Sequence, residues 1–138
     1  MTPEQVTLVK DSWAQVSPIS EQAAELFYNR LFELNPDYRA LFTGDMKSQG
    51  KMLMSMLNTA VASLDRLDAI VPAVQALGQR HVGYGVQEQD YAVVGEALLW
   101  TLGQGLGEDF TDEVKQAWTE TYTTLAGVMI EASKAEVA

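Results

Sequence analysis

Apolar residues recur every three or four positions along most of the chain and are broken by proline, glycine and short polar turns, a pattern that predicts helix throughout. Thr2-Pro3-Glu4-Gln5 supplies a hydroxyl cap, a proline at the first helical position and a glutamine three residues after the cap. That is a capping box, and the helix it opens runs to about Val16. Ser17-Pro18 repeats the start signal, and Ile19, Ala23, Leu26, Phe27, Arg30, Leu31 and Leu34 follow until Asn35-Pro36 ends the second helix. Pro36 to Phe42 fits one or two turns before Thr43-Gly44-Asp45 breaks the chain.

From Lys47 to about Leu64 an apolar stripe runs through Met52, Leu53, Met56, Leu57, Ala60, Val61 and Leu64, as expected of a buried helix face. Met52, Met54 and Met56 read as flexible core filler rather than metal ligands. A shorter helix, Leu67 to His81, opens near Asp68, carries Ile70, Val71, Val74 and Leu77, and is stopped by Gly83 and Gly85. Asp90 to Leu106 is strongly apolar, with Gly103, Gly105 and Gly107 marking its end. Thr111-Asp112-Glu113 caps a last long helix whose inner face is Val114, Trp118, Tyr122, Leu125, Val128 and Met129. No alternating run bounded by hairpin turns occurs, so the expected class is all-α, as one domain over residues 1–138 without internal repeats.

Nine basic residues face nineteen acidic ones, a formal charge of −10, which argues against a nucleic-acid partner. The absence of cysteine excludes disulfides, thiolate metal sites, iron–sulfur clusters and cysteine nucleophiles. The acidic N-terminus shows no signal peptide, and no run approaches the length of a membrane span, so the expectation is a cytoplasmic chain without membrane insertion. Gly103, Gly105 and Gly107 lack the Lys-Ser/Thr of a phosphate loop and read as a helix end.

One residue carries most of the candidate chemistry. His81 is the single histidine, in Leu77-Gly78-Gln79-Arg80-His81-Val82-Gly83-Tyr84-Gly85-Val86. A histidine near a helix end is usually an ordinary core or surface residue, and context decides whether it is more. Leu77, four residues earlier, and Val86, just past the glycines, could line an apolar slot, and the glycines let the chain turn tightly around a flat cofactor.

The wider pattern supplies the context. Arg80-His81 followed by Gly85-Val86 and Tyr91-Ala92-Val93-Val94-Gly95, Phe27-Tyr28-Asn29-Arg30-Leu31-Phe32, Asn35-Pro36 to Leu41-Phe42, Ser48-Gln49-Gly50-Lys51-Met52-Leu53, and Trp118 with Tyr122 stand in the order and spacing of a bacterial single-domain globin. The chain resembles that family, and in particular the globin part of flavohaemoglobins, over essentially its whole length. The resemblance implies a globin fold, a three-on-three helical sandwich around haem b. It implies His81 as the proximal iron ligand, with Phe42, Leu53, Val86, Tyr91 and Val94 against the haem and Tyr28 and Gln49 as distal donors. Either donor would stabilise a polar diatomic ligand by roughly 1.5–3 kcal/mol, about ten-fold to more than a hundred-fold in affinity.

The family pattern is not met everywhere. The glutamate that works with the tyrosine at position 91 to polarise the proximal histidine is replaced by Ser133, and Glu131 lies on roughly the opposite side of the helix. A weaker proximal push tilts the expectation towards reversible dioxygen binding for storage, buffering or delivery, without catalysis. The alternative is a nitric oxide dioxygenase forming nitrate from NO and O2 with a separate reductase, which the chain, ending at Ala138, would need. Further expectations are dioxygen with NO or CO as ligands, and a monomer or weak homodimer. A haem-free sensing module lacks any attached output segment.

Overall fold

The computed structural model describes residues 2–42, 44–83 and 88–137, with side chains left aside at 41, 67, 79–83, 88 and 133–137. Its helices are α1 (Pro3–Val16), α2 (Ser20–Leu34), α3 (Met46–Ala62), α4 (Leu67–Gly83), α5 (Glu88–Leu106) and α6 (Asp112–Val137). Short 3-10 turns lie at Ser17–Ile19, Pro36–Leu41, Leu64–Arg66 and Gly107–Asp109, and no strand occurs among the described residues.

Local chemistry explains most of the boundaries. The Thr2 hydroxyl accepts from the Gln5 N–H while the Gln5 side chain accepts from the Thr2 N–H, so the expected capping box forms at α1. Asp45 caps α3 by accepting from the Lys47 N–H and the Ser48 hydroxyl. Ser17 does not cap α2. The chain stays helical through Val16, passes through the 3-10 turn containing Pro18, and α2 starts at Ser20 without a side-chain cap. At the far end of α5 the expectation needs correcting, because the helix continues through Gly103 and Gly105 to Leu106. Gly107 stops it, at φ +57, a backbone conformation that glycine adopts without steric cost.

The most extensive packing is of α4 on α6, α2 on α5 and α3, and α1 on α6, with smaller contacts of α1 with α3 and α5 and of α5 with α6. Trp118 of α6 is 1% exposed, and its indole N–H donates to the Ser12 hydroxyl at 2.8 Å, which in turn donates to the Val9 carbonyl. Trp13 lies 6.0 Å from Trp118 and donates to Asn58 of α3 at 2.7 Å, tying α1 to both α6 and α3. Around them Val9, Val16, Phe27, Leu31, Leu98, Leu102, Val114 and Ala117 complete the core. Close helix approaches fall where side chains are smallest. A Cβ on Gly78 would lie 2.5 Å from the Met129 carbonyl oxygen, and one on Gly95 2.7 Å from the Tyr122 ring.

Candidate functional site: a polar pair and an apolar helix face

Tyr28 projects from the middle of α2 and is 7% exposed. Its ring is packed edge-on against Phe27 at 5.0 Å and Phe42 at 5.3 Å, with Phe32 at 6.2 Å. Burial raises the Tyr28 hydroxyl pKa above its ordinary value, and hydrogen bonding from the Gln49 side chain of α3 draws it partly back. The two residues expected to act as distal donors are therefore neighbours. A tyrosine hydroxyl and a glutamine amide can each donate or accept, so both can offer a proton to a ligand placed beside them.

The helices meet closely at this point. A Cβ on Gly50 would come to 3.0 Å from the Ala24 Cβ, so α2 and α3 cross where both carry small residues. On the outer side of the crossing lies a cleft of about 600 Å³, lined by Ala24, Phe32, Arg39, Met46, Lys47 and Met54 with Tyr28 reaching it from below.

Phe42 and Leu53 are half-buried and pack on the core. Gln49, Met52, Leu53 and Met56 fall within about 100° of one another around α3. The buried Gly50, Leu57 and Val61 are centred roughly 110° further round the helix, while the buried Ala60 falls within the first group. Met52 is 60% exposed and Met56 39%, so the reading of these methionines as core filler is wrong for both; Met54 is half-buried. A large apolar side chain at helical spacing reads as core, but here the stripe on α3 is too wide for one contact. Part of it faces α1 and α2, and the rest, at Met52 and Met56, is exposed. Among the described residues α4 packs on α6 and shares no extensive contact with α3.

His81 falls in the last turn of α4. Its side chain lies outside the described residues, as do Val86 altogether and the side chain of Ser133. One turn before His81, Leu77 is half-buried. Tyr91 is buried in the first turns of α5, and burial, then the Asp90 charge, raises its pKa. Its carbonyl accepts from the Tyr122 hydroxyl at 2.6 Å. Val94, one turn further on α5, is half-buried against the core. Thus Tyr28, Phe42, Gln49 and Leu53 gather around the α2–α3 crossing, while Tyr91 and Val94 stand on α5.

The family model described as Globin matches residues 25–129, most of the chain. The chain belongs to the globin family. This globin is 28% identical over 137 residues to a flavohemoprotein of Halalkalibacterium halodurans, covering 97% of this chain and 33% of that protein. It is 30% identical over 138 residues to a flavohemoprotein of Bordetella parapertussis, covering 98% and 34%. It spans about a third of the length of these flavohemoproteins. Neuroglobin-2 of Oncorhynchus mykiss is 32% identical, with 94% of this chain and 90% of that one covered. Among solved structures, an engineered carbene transferase made from a presumptive nitric oxide dioxygenase of Rhodothermus marinus superposes with a TM-score of 0.89 at 28% identity, covering 99% and 96%.

Membership in the globin family implies haem as the cofactor class, and the described residues suit such a group. A flat apolar macrocycle needs an apolar wall, which Met52, Leu53 and Met56 present on one face of α3, and a polar partner for what binds beside it, which Tyr28 and Gln49 present. Tyr38 escaped sequence reading; its hydroxyl donates to Asp90 at the start of α5. Ala24 escaped it too, although a small residue one turn before a candidate donor is a signal that could have been used.

Proposed function

We propose that this globin binds haem b and uses it to bind dioxygen reversibly, with His81 as the proximal ligand and Tyr28 and Gln49 on the distal side. Phe42, Leu53, Val86, Tyr91 and Val94 are proposed to hold the macrocycle. When bound, the haem supplies the iron that takes the gas. The chain's own contribution is to exclude water with apolar side chains and to hold one proton in place. The observation that carries this reading is the burial of Tyr28 beside Gln49. A raised pKa keeps the phenol protonated at neutral pH, so Tyr28 has a proton to donate, and the Gln49 amide beside it is a second donor.

The experiment removes that proton. Tyr28→Phe keeps the ring and its contacts with Phe27 and Phe42, and loses a hydrogen bond to a ligand carrying partial charge. Oxygen release should then quicken by at least about ten-fold. A change under about two-fold would remove Tyr28 from the distal role. His81→Ala should abolish stoichiometric haem uptake or the normal ferrous spectrum, and unchanged uptake would refute the proximal assignment.

A second reading has support in the names of the relatives, flavohemoproteins and a presumptive nitric oxide dioxygenase. In it, NO, O2 and one electron give nitrate, the electron coming from a separate reductase. The same distal pair serves both readings. Sustained NO consumption in the presence of a cellular reductase supports the enzyme, whereas one turnover followed by arrest in the ferric state supports the binder.

A further inference from the structure

Tyr38 lies in the 3-10 turn Pro36–Leu41 and is 8% exposed. Its hydroxyl donates to Asp90 Oδ1 at 2.6 Å, a bond between residues 52 positions apart. That length is typical of a hydroxyl donating to an ionised carboxylate, a stronger bond than a neutral pair makes. A 3-10 turn has weak hydrogen-bond geometry of its own, so what is attached to it decides where it sits.

Two chains of contact leave this bond. On one side the turn delivers Phe42, whose ring is edge-on to Tyr28 at 5.3 Å and to Phe32 at 5.7 Å, while the Arg39 guanidinium lies over Phe32 at 5.5 Å. On the other side Asp90 stands in the first turn of α5, and the next residue, Tyr91, offers its carbonyl to the Tyr122 hydroxyl of α6 at 2.6 Å. Two phenols from different parts of the chain thus hold consecutive residues of α5.

We propose that Tyr38 is a positioning residue: its bond to Asp90 locks the turn bearing Phe42 to the start of α5, and Phe42 in turn fixes where the Tyr28 hydroxyl points. The consequence for gas binding rests on the function proposed above; the mechanical coupling does not. Removing the Tyr38 hydroxyl frees the turn, lets Phe42 shift, and leaves the Tyr28 proton less often aimed at the ligand.

The test uses Tyr38→Phe, which keeps the ring. In the haem-free chain, amide hydrogen exchange should quicken in both residues 36–42 and the first turn of α5. Unchanged exchange in either segment overturns the coupling. In the haem-loaded chain, dioxygen release should quicken about three-fold or more, consistent with partial loss of one hydrogen bond. In a Tyr28→Phe background the same change should have no further effect on release. Release unchanged by Tyr38→Phe, or quickened equally in both backgrounds, overturns the link to Tyr28. Asp90→Asn, which keeps an acceptor, should stay closer to the native rate than Asp90→Val, and equal effects of the two would also count against the bond. Should the native chain take up no haem, the functional reading falls while the exchange measurement still decides the coupling.

Discussion

Gly78→Ala sets two effects of known size against each other in the helix that carries His81. Alanine is favoured over glycine inside a helix by about 0.8–1.0 kcal/mol, so on propensity alone the change should stabilise. Position 78, however, lies against the backbone of α6. The added Cβ would stand 2.5 Å from the Met129 carbonyl oxygen, 2.7 Å from its Cα and 2.9 Å from its carbonyl carbon, close to an ångström inside ordinary contact. None of these atoms is the free end of a side chain, so the helices themselves must move apart. Overpacking of this kind costs about 1–3 kcal/mol, and the separation also weakens the packing of α4 on α6 along its length. The steric cost wins, and a net destabilisation of roughly 1–2 kcal/mol is expected. Gly127 of α6 is the control, because a Cβ there meets nothing within 4 Å and Gly127→Ala should stabilise by about 0.4–1 kcal/mol. Urea unfolding of both variants and the parent, at unchanged slope, reads the two signs directly. Because Gly78 precedes His81 by three residues on one helix, Gly78→Ala should also quicken haem loss to a scavenging apoprotein. A Gly78→Ala protein as stable as Gly127→Ala would refute the close α4–α6 contact.

Ser12→Ala leaves the indole N–H of Trp118 buried without its acceptor and should cost about 1–3 kcal/mol in urea unfolding. Tyr28, Tyr38, Tyr91 and Tyr122 all have raised pKa values in the folded chain, Tyr38 to about 12. Their contribution to stability is complete below the ordinary phenol value of 10.0 and is lost as pH rises beyond it, because the unfolded chain releases protons first. The urea midpoint should therefore be flat to about pH 9 and fall above pH 10, and a midpoint that holds constant to pH 11 refutes the burial of these phenols. Met52 and Met56 should oxidise readily with peroxide in the haem-free chain. Loading with redox-inert zinc protoporphyrin should slow both but not Met46 in the outer cleft, and equal oxidation with and without the porphyrin would place the group elsewhere.

What was legible in the amino-acid order was whatever depends on near neighbours. The Thr2 to Gln5 capping box spans three residues and forms as expected, and helical periodicity locates all six helices to within a few positions. Gly103 and Gly105 misled because glycine is tolerated inside a helix when neighbours pack around it: a Cβ on Gly103 would touch the Phe110 ring at 3.4 Å, and one on Gly105 would meet Val16 and Ile19. Of these three glycines only Gly107 takes a backbone angle that needs glycine. Met52 and Met56 misled because a period of 3.6 says that a face is apolar and not what covers it. The Tyr38–Asp90 bond was out of reach since neither residue signals the other across 52 positions. Tyr28 and Gln49 were found through family resemblance, and their adjacency is a property of the packed helices.

That adjacency has a cause one turn away from the donors themselves. Ala24 and Tyr28 are four residues apart and share a face of α2; Gln49 and Gly50 are consecutive on α3. At the crossing, Ala24 faces Gly50 with little room to spare, since an added Cβ would come to 3.0 Å and the helices would have to give slightly. Small residues at the crossing bring the backbones together, and only then can the Gln49 side chain reach a tyrosine hydroxyl one turn along the opposite helix. A larger residue at either place would leave both donors in the sequence while parting them in space. The distal site proposed for this chain would therefore be written in four positions rather than two. The small pair sets the helix separation, the polar pair uses it, and a chain that kept tyrosine and glutamine but lost alanine or glycine would match the family's motif without assembling its chemistry.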